Sequence, residues 1–194
     1  MNQEIKEWLL TITISVLAFL IIKTFFFTQY QVSGESMSPT FHNQDRLVVS
    51  KIAKTMDTIQ RGDVIIFHAT KDKDYIKRLI GISGDTVEYR NDELLINGKK
   101  VTEHYLDENK RHKKNKYLTE NISVKELVHS DGESEIPAGR YLVLGDNRDN
   151  SSDSRYELGL IHKKDVVGEV IVRLFPFDHM QYNFYPETFD VINE

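Results

Sequence analysis

The spacing of apolar residues divides the chain into two unlike parts. Trp8-Leu9-Leu10 through Phe25-Phe26-Phe27 is nearly all apolar or hydroxylic. Its roughly twenty residues, at about 1.5 Å each, reach about 30 Å, the thickness of a bilayer core. Lys23 is the one charge inside, close enough to one end for its long side chain to reach the interface. Thr11, Thr13, Ser15 and Thr24 can satisfy their hydroxyls on the helix backbone. Trp8 and Tyr30 stand at the two ends, where interfacial aromatics sit. The pattern predicts a transmembrane helix over 8–27 behind a short segment, 1–7. A cleaved secretory signal fits less well: the run is long, Lys6 has Glu4 and Glu7 beside it, and no small-x-small site follows. Lys6 and Lys23 flank the run almost evenly, so charge does not orient it.

From Tyr30 onward the apolar runs become short and turn signals separate them. Leu47-Val48-Val49, Val64 to Phe67, Tyr75 to Ile80, Thr86 to Tyr89, Glu93 to Ile96, Tyr141 to Leu144 and Val166 to Leu174 read as strands. Arg61-Gly62-Asp63, Ser83-Gly84-Asp85 and Ala138-Gly139-Arg140 read as turns. Asn97-Gly98 between Leu94-Leu95-Ile96 and Lys99-Lys100-Val101 predicts a hairpin. No long downstream segment has helical periodicity. The expected fold is mainly β: one N-terminal transmembrane helix, then a β-rich, partly barrel-like domain over 28–194. The stretch from about 99 to 135 is polar and reads as an insertion between two halves of the core. Its basic run, Lys110 to Lys116, fits a solvated loop or a contact with anionic lipid headgroups.

Composition narrows the chemistry. The 194 residues include no cysteine, which excludes a disulfide framework, a thiol nucleophile and cysteine-ligated metal. The formal net charge of -5 weighs against a general nucleic-acid binder. None of the seven histidines stands in a triad context or in a His-Glu-x-x-His spacing, so neither a histidine base nor a metal is expected.

A serine hydroxyl needs a base to become a nucleophile. Lysine can be that base when apolar surroundings disfavour its charged form. Ser36, in Ser33-Gly34-Glu35-Ser36-Met37-Ser38-Pro39-Thr40, follows the apolar run closely, and Lys77 lies in the strand-like Tyr75-Ile76-Lys77-Arg78-Leu79-Ile80. Alternation places Lys77 on one face with Tyr75 and Leu79, and Arg78 on the other. A third element, Gly145 to Arg155, gathers carboxylates, arginines and hydroxyls after the strand ending at Leu144. Taken singly, Ser36 reads as a turn serine, Lys77 as an exposed strand lysine and the loop as ordinary polar sequence.

Taken in order, these segments, with Arg61-Gly62-Asp63-Val64-Ile65-Ile66-Phe67, Gly81 and Gly84-Asp85, resemble the bacterial type I signal peptidases, in the short single-span form typical of Gram-positive bacteria. The resemblance implies a membrane-anchored serine endopeptidase on the extracytoplasmic side that removes signal peptides from exported preproteins, with no cofactor. It implies Ser36 as nucleophile, Lys77 as general base, Ser151 holding the lysine amine, and Asp146, Asp153, Arg155 and Arg78 as supporting residues. Substrate positions carry over to Val32, Ser33, Gly34, Met37, Phe41, Tyr75 and Ile76. Some members have a serine two residues before the nucleophile as an oxyanion donor; Gly34 stands there, so the backbone N–H of Ser36 carries more of that load. Two other readings fit less well. A self-cleaving Ser/Lys repressor-type protease needs a DNA-binding domain where the apolar run stands. A silent membrane-anchored partner-binding domain has no need of Ser36 and Lys77 together.

Overall fold

The computed structural model describes residues 3–193. Helix α1, Gln3–Phe26, is 24 residues long and is the one described helix long and apolar enough to cross a membrane. It starts before the expected residue 8, and Phe27 already belongs to a strand. Trp8, Leu10, Phe19 and Phe25 are exposed, so nothing in the fold buries this apolar surface. Thr11 and Thr13 donate their hydroxyls to the carbonyls of Glu7 and Leu9, four residues back.

The rest is mainly β. Strands β1 (Phe27–Gln31), β2 (Arg46–Ser50), β3 (Val64–His68) and β4 (Asp74–Gly81) are followed by β5 (Val87–Arg90), β6 (Glu93–Ile96) and β7 (Lys99–Val101). Then come β8 (Ile122–Ser123), β9 (Arg140–Leu144), β10 (Ile161–His162), β11 (Val166–Phe175) and β12 (Gln181–Tyr182). The larger sheet runs β1-β2-β11-β3-β4-β9-β10, with β12 on β11. All described pairings are antiparallel.

This sheet curls into a partial barrel, and one bond demonstrates it. Tyr30 on β1 donates its hydroxyl to Asp74 on β4 at 2.8 Å. Three strands lie between them in the sheet order, and a flat sheet would hold the two strands about 19 Å apart. Register shifts in β11, at Val166/Gly168, Val170/Val172 and Arg173/Phe175, and in β4 at Leu79/Gly81, supply the bends. Gly168 is required at one of them: a Cβ there would meet the Ser50 carbonyl oxygen at 2.2 Å. β3 is buried on both faces. Val64 and Ile66 join a core with Met37, Phe41, Leu47 and Val170, while Ile65 and Phe67 join one with Leu79, Tyr141 and Val143.

The second sheet runs β7-β6-β5-β8, and the Asn97-Gly98 hairpin forms with φ of 52° and 75° at its tip. The 99–135 segment is woven into the domain rather than appended to it. β7 completes the second sheet, and Val101, Leu106, Leu118, Val124 and Leu127 are buried. Apart from Val101, at the end of the expected hairpin, these apolar residues stand singly or in pairs among polar ones, with no longer run to mark them. The basic run keeps a mostly exposed face; Lys113 pairs with Asp92, and the Lys114 N–H donates to Asp149.

Arg148 docks this sheet on the 145–155 loop. Its fully buried guanidinium donates to the Gly145 carbonyl, Tyr89 hydroxyl, Thr119 hydroxyl and Glu103 carboxylate at 2.8–3.1 Å. Removing one partner of such a buried pair leaves an uncompensated charge, which costs about 3–5 kcal/mol. Glu103→Ala should therefore lower the urea midpoint of the full chain in detergent by a corresponding amount. A midpoint equal to wild type would show that the network does not hold the two sheets together.

Candidate active site

Ser36 sits on a turn whose shape is set from below and from one side. Gly34 has φ of +94°, a region L side chains rarely adopt, and its N–H donates to the Asn43 side chain. The Phe41 N–H bonds to the Met37 carbonyl, and this helical spacing sends both side chains into the core. The ring of Phe41 lies 4.5 Å from that of Phe184. From the side, Asn147 donates its backbone N–H to the Ser36 carbonyl at 3.0 Å and its side-chain amide to the Glu35 carbonyl at 2.9 Å. Gly145 allows this approach: a Cβ there would lie 2.5 Å from the Ser36 carbonyl oxygen.

β4 brings Lys77 to the same place. Ser36 and Lys77 are 41 positions apart in the chain, yet Oγ and Nζ lie 2.6 Å apart. Lys77 is only 3% exposed. Burial pushes its amine down to about 8, against the pull of Asp153 and Asp146 in the opposite direction. About a tenth of the amine is therefore neutral at pH 7, far more than for an ordinary lysine, and it lies within hydrogen-bond reach of a hydroxyl.

The 145–155 loop behaves as paired charge. Asp146 takes Nε and Nη2 of Arg78 at 3.0 and 2.7 Å, with both side chains buried. Burial works against the Arg78 charge, but Asp146 more than offsets it and its pKa is raised. Asp146 also accepts the Thr40 hydroxyl at 2.6 Å, linking the loop to the serine turn. Asp153 takes Nε and Nη2 of Arg155 at 2.8 and 2.9 Å and the Gly145 N–H at 3.0 Å. Burial raises the Asp153 carboxyl, and the Arg155 bonds overcome it to leave a net lowering. Both expected ion partners are thus at the site.

Nζ of Lys77 takes Ser36 Oγ, and the Ser151 Oγ, buried beside Gly145, makes no hydrogen bond to the amine. A cleft of about 250 Å³ opens beside Ser36 and Lys77. Val32, Ser33, Tyr75 and Ile76 line it, and Met37, Phe41 and Gly34 are not in its lining. The helical turn directs Met37 and Phe41 into the core beneath the site, and Gly34 has no side chain to offer. Sequence reasoning missed Tyr30, Gln31, Leu47, Ile66, Asp74 and Ser152 in the lining. Tyr30 reads in sequence as an interfacial aromatic; the curl of the sheet makes it a cleft residue bonded to Asp74, with its own pKa raised to about 12 by burial and by that carboxylate.

Residues 5–175 match the family model described as signal peptidase, peptidase S26. The chain is 44% identical over 189 residues to signal peptidase IB of Staphylococcus aureus (strain MRSA252), covering 97% of this chain and 98% of that protein. It is 41% identical over 182 residues to signal peptidase I P of Bacillus subtilis subsp. natto, covering 93% and 95%. The crystal structure of a signal peptidase I from Enterococcus faecalis V583 matches with a TM-score of 0.53 at 42% identity, covering 57% of this chain and 95% of that one.

The Lys77 environment makes stability depend on pH in a definite direction. With a folded pKa of about 8 against an ordinary 10.5, the unfolded chain holds the proton more tightly between those values. Stability therefore rises with pH across that window, and below it the folded protein carries the full penalty of a buried charge. Lys77→Met should be more stable than wild type at neutral pH, by on the order of 3 kcal/mol. The gap should close as pH rises from 8 to 10.5. Asp63, whose carboxyl burial pushes up to about 7, titrates below that window and is common to both proteins. Urea midpoints across the range check this; a gap independent of pH would contradict it.

Proposed function

The chain belongs to the peptidase S26 family of signal peptidases, and we propose that it removes N-terminal signal peptides from exported preproteins with Ser36 as nucleophile and Lys77 as general base. The observation that carries the reading is the 2.6 Å contact between Ser36 Oγ and a buried Lys77 Nζ. Neutral Lys77 takes the Ser36 proton as Oγ attacks the carbonyl carbon of the scissile peptide bond. Charge then develops on the carbonyl oxygen. Among the described hydrogen bonds the Ser36 N–H has no acceptor, which leaves it available to that oxygen. Protonated Lys77 returns its proton to the leaving amine, and the signal peptide remains esterified to Ser36. Lys77 next takes a proton from water, whose oxygen attacks the ester carbon. The acyl carbon is released as a carboxylate and Ser36 Oγ regains its proton.

In this reading Arg78–Asp146 and Arg155–Asp153 hold the loops that place the pair, and Val32, Ser33, Tyr75 and Ile76 shape the substrate cleft. Helix α1 spans the cell membrane once and keeps the catalytic domain on the extracytoplasmic side. Confining enzyme and signal peptide to one bilayer raises their effective concentration.

Cleavage of an Ala-x-Ala preprotein by the full chain in vesicles tests the assignment. Ser36→Ala should be inactive. Lys77→Arg should be nearly so, because arginine stays protonated. For wild type, kcat/KM should rise with pH through about 8 and level off above it, since only the neutral amine is competent. Activity retained in either variant would remove that residue from its role.

The cleft also limits substrate size. Leucine in place of alanine immediately before the cleaved bond must displace packed walls, at roughly 1–3 kcal/mol. That corresponds to about a tenfold to hundredfold loss in kcat/KM. Equal values for the two substrates would show that the cleft does not receive that side chain.

A further inference from the structure

We propose that Asn109, on the short helix α2 (Asp107–Arg111), is a positioning residue that clamps the Ser36 turn to the 145–155 loop. The proposal rests on the reading of Ser36 as nucleophile. A carboxamide NH2 has two donors, and Asn109 uses both. One goes to the Ser38 carbonyl, two residues past Ser36, and the other to the Asp146 carbonyl, each at 2.8 Å. Asp146 precedes Asn147, which holds the carbonyls of Glu35 and Ser36. The two loops thus meet directly, through Asn147 and through Thr40–Asp146, and Asn109 adds a bridge between the Ser38 and Asp146 carbonyls.

Helix α2 is anchored by the segment that leads into it. Leu106 is fully buried, Glu103 is locked to Arg148, and the Arg78 guanidinium lies 4.1 Å from the centre of the Tyr105 ring. Asn109 is therefore delivered from a segment already braced on Arg78 and Arg148. Its amide reports that anchorage to the turn that carries the nucleophile. A displacement of about 1 Å at the reacting atoms can cost on the order of a hundredfold in rate, so a clamp at this place acts on turnover. It touches neither the cleft lining nor Lys77 Nζ, so substrate affinity and the titration of the base should be unmoved.

Asn109→Leu keeps the size and removes both donors without adding charge. Measured on the full chain in detergent, it should lower kcat about tenfold or more, with KM within about twofold and an unchanged pH midpoint. Asn109→Asp should be at least as impaired, because it turns a carboxylate toward two carbonyl oxygens. Hydrogen exchange without substrate supplies a second readout. The Ser38 and Phe41 amides, bonded within the turn, should exchange faster in Asn109→Leu while sheet amides keep their protection.

Wild-type kcat and unchanged exchange in Asn109→Leu would overturn the clamp. So would a loss of activity that merely follows the folded fraction, with sheet and turn amides loosened alike. If the turn amides loosen but Ser36→Ala still cleaves preprotein, the clamp stands and the assignment of Ser36 falls. If Ser36→Ala is inactive and Asn109→Leu matches wild type in both readouts, the clamp alone falls.

Discussion

A buried amine can serve as a base only while its neutral form is accessible, and in this protein two carboxylates pull the other way. Asp153 and Asp146 both favour a charged Lys77, yet burial prevails and its pKa falls to about 8. The arrangement that permits this is pairing. Each carboxylate is bound in two places by its own arginine, Arg155 or Arg78, so neither needs the lysine as its counter-ion. Buried ion pairs are weak sources of net stability because desolvation offsets the attraction. Here Arg78–Asp146 ties the 145–155 loop to β4 and Arg155–Asp153 braces that loop internally, without placing an unpaired negative charge beside the amine.

Much of the fold can be understood as the means of reaching that arrangement. Ser36 follows β1, and Lys77 lies on β4, at opposite ends of a run of five neighbouring strands. Only a curled sheet brings those ends together, and the register shifts in β11 and β4 provide the curl. The glycines that matter are those where backbones must touch: Gly168 against Ser50, and Gly145 against Ser36. The same curl opens a cleft between β1 and β4, closed across one place by the Tyr30–Asp74 bond. A catalytic pair and the groove beside it thus share one geometric origin.

The second sheet has a less obvious part. It is remote in sequence from the serine turn, but Arg148 and Glu103 join it to the 145–155 loop, and Asn109 joins its connecting segment to the turn itself. The exposed apolar helix α1 stands apart from this packing. Its C-terminal end runs directly into β1, and the Phe26 carbonyl accepts the Lys51 N–H at 2.9 Å.

How much of this is legible without coordinates follows from the range of the interactions. The apolar helix, the strands from Leu47 to Leu174 and the Asn97-Gly98 hairpin are local patterns of period, turn chemistry and composition, and they read directly from the chain. The family also reads directly, because motif order survives without any knowledge of contacts. Long-range geometry does not. Nothing near Lys77 in sequence says that its amine is buried against Ser36. Nothing near Tyr30 says that it faces a cleft, or near Asn109 that it bridges two loops. Met37 and Phe41 lie beside the serine in sequence, but a turn of helix sends them into the core. Sequence by itself determined the elements, their order and the chemical groups available. The tertiary structure alone decided which groups meet and which lose water, because burial and hydrogen-bond distance depend on the curl of the whole sheet.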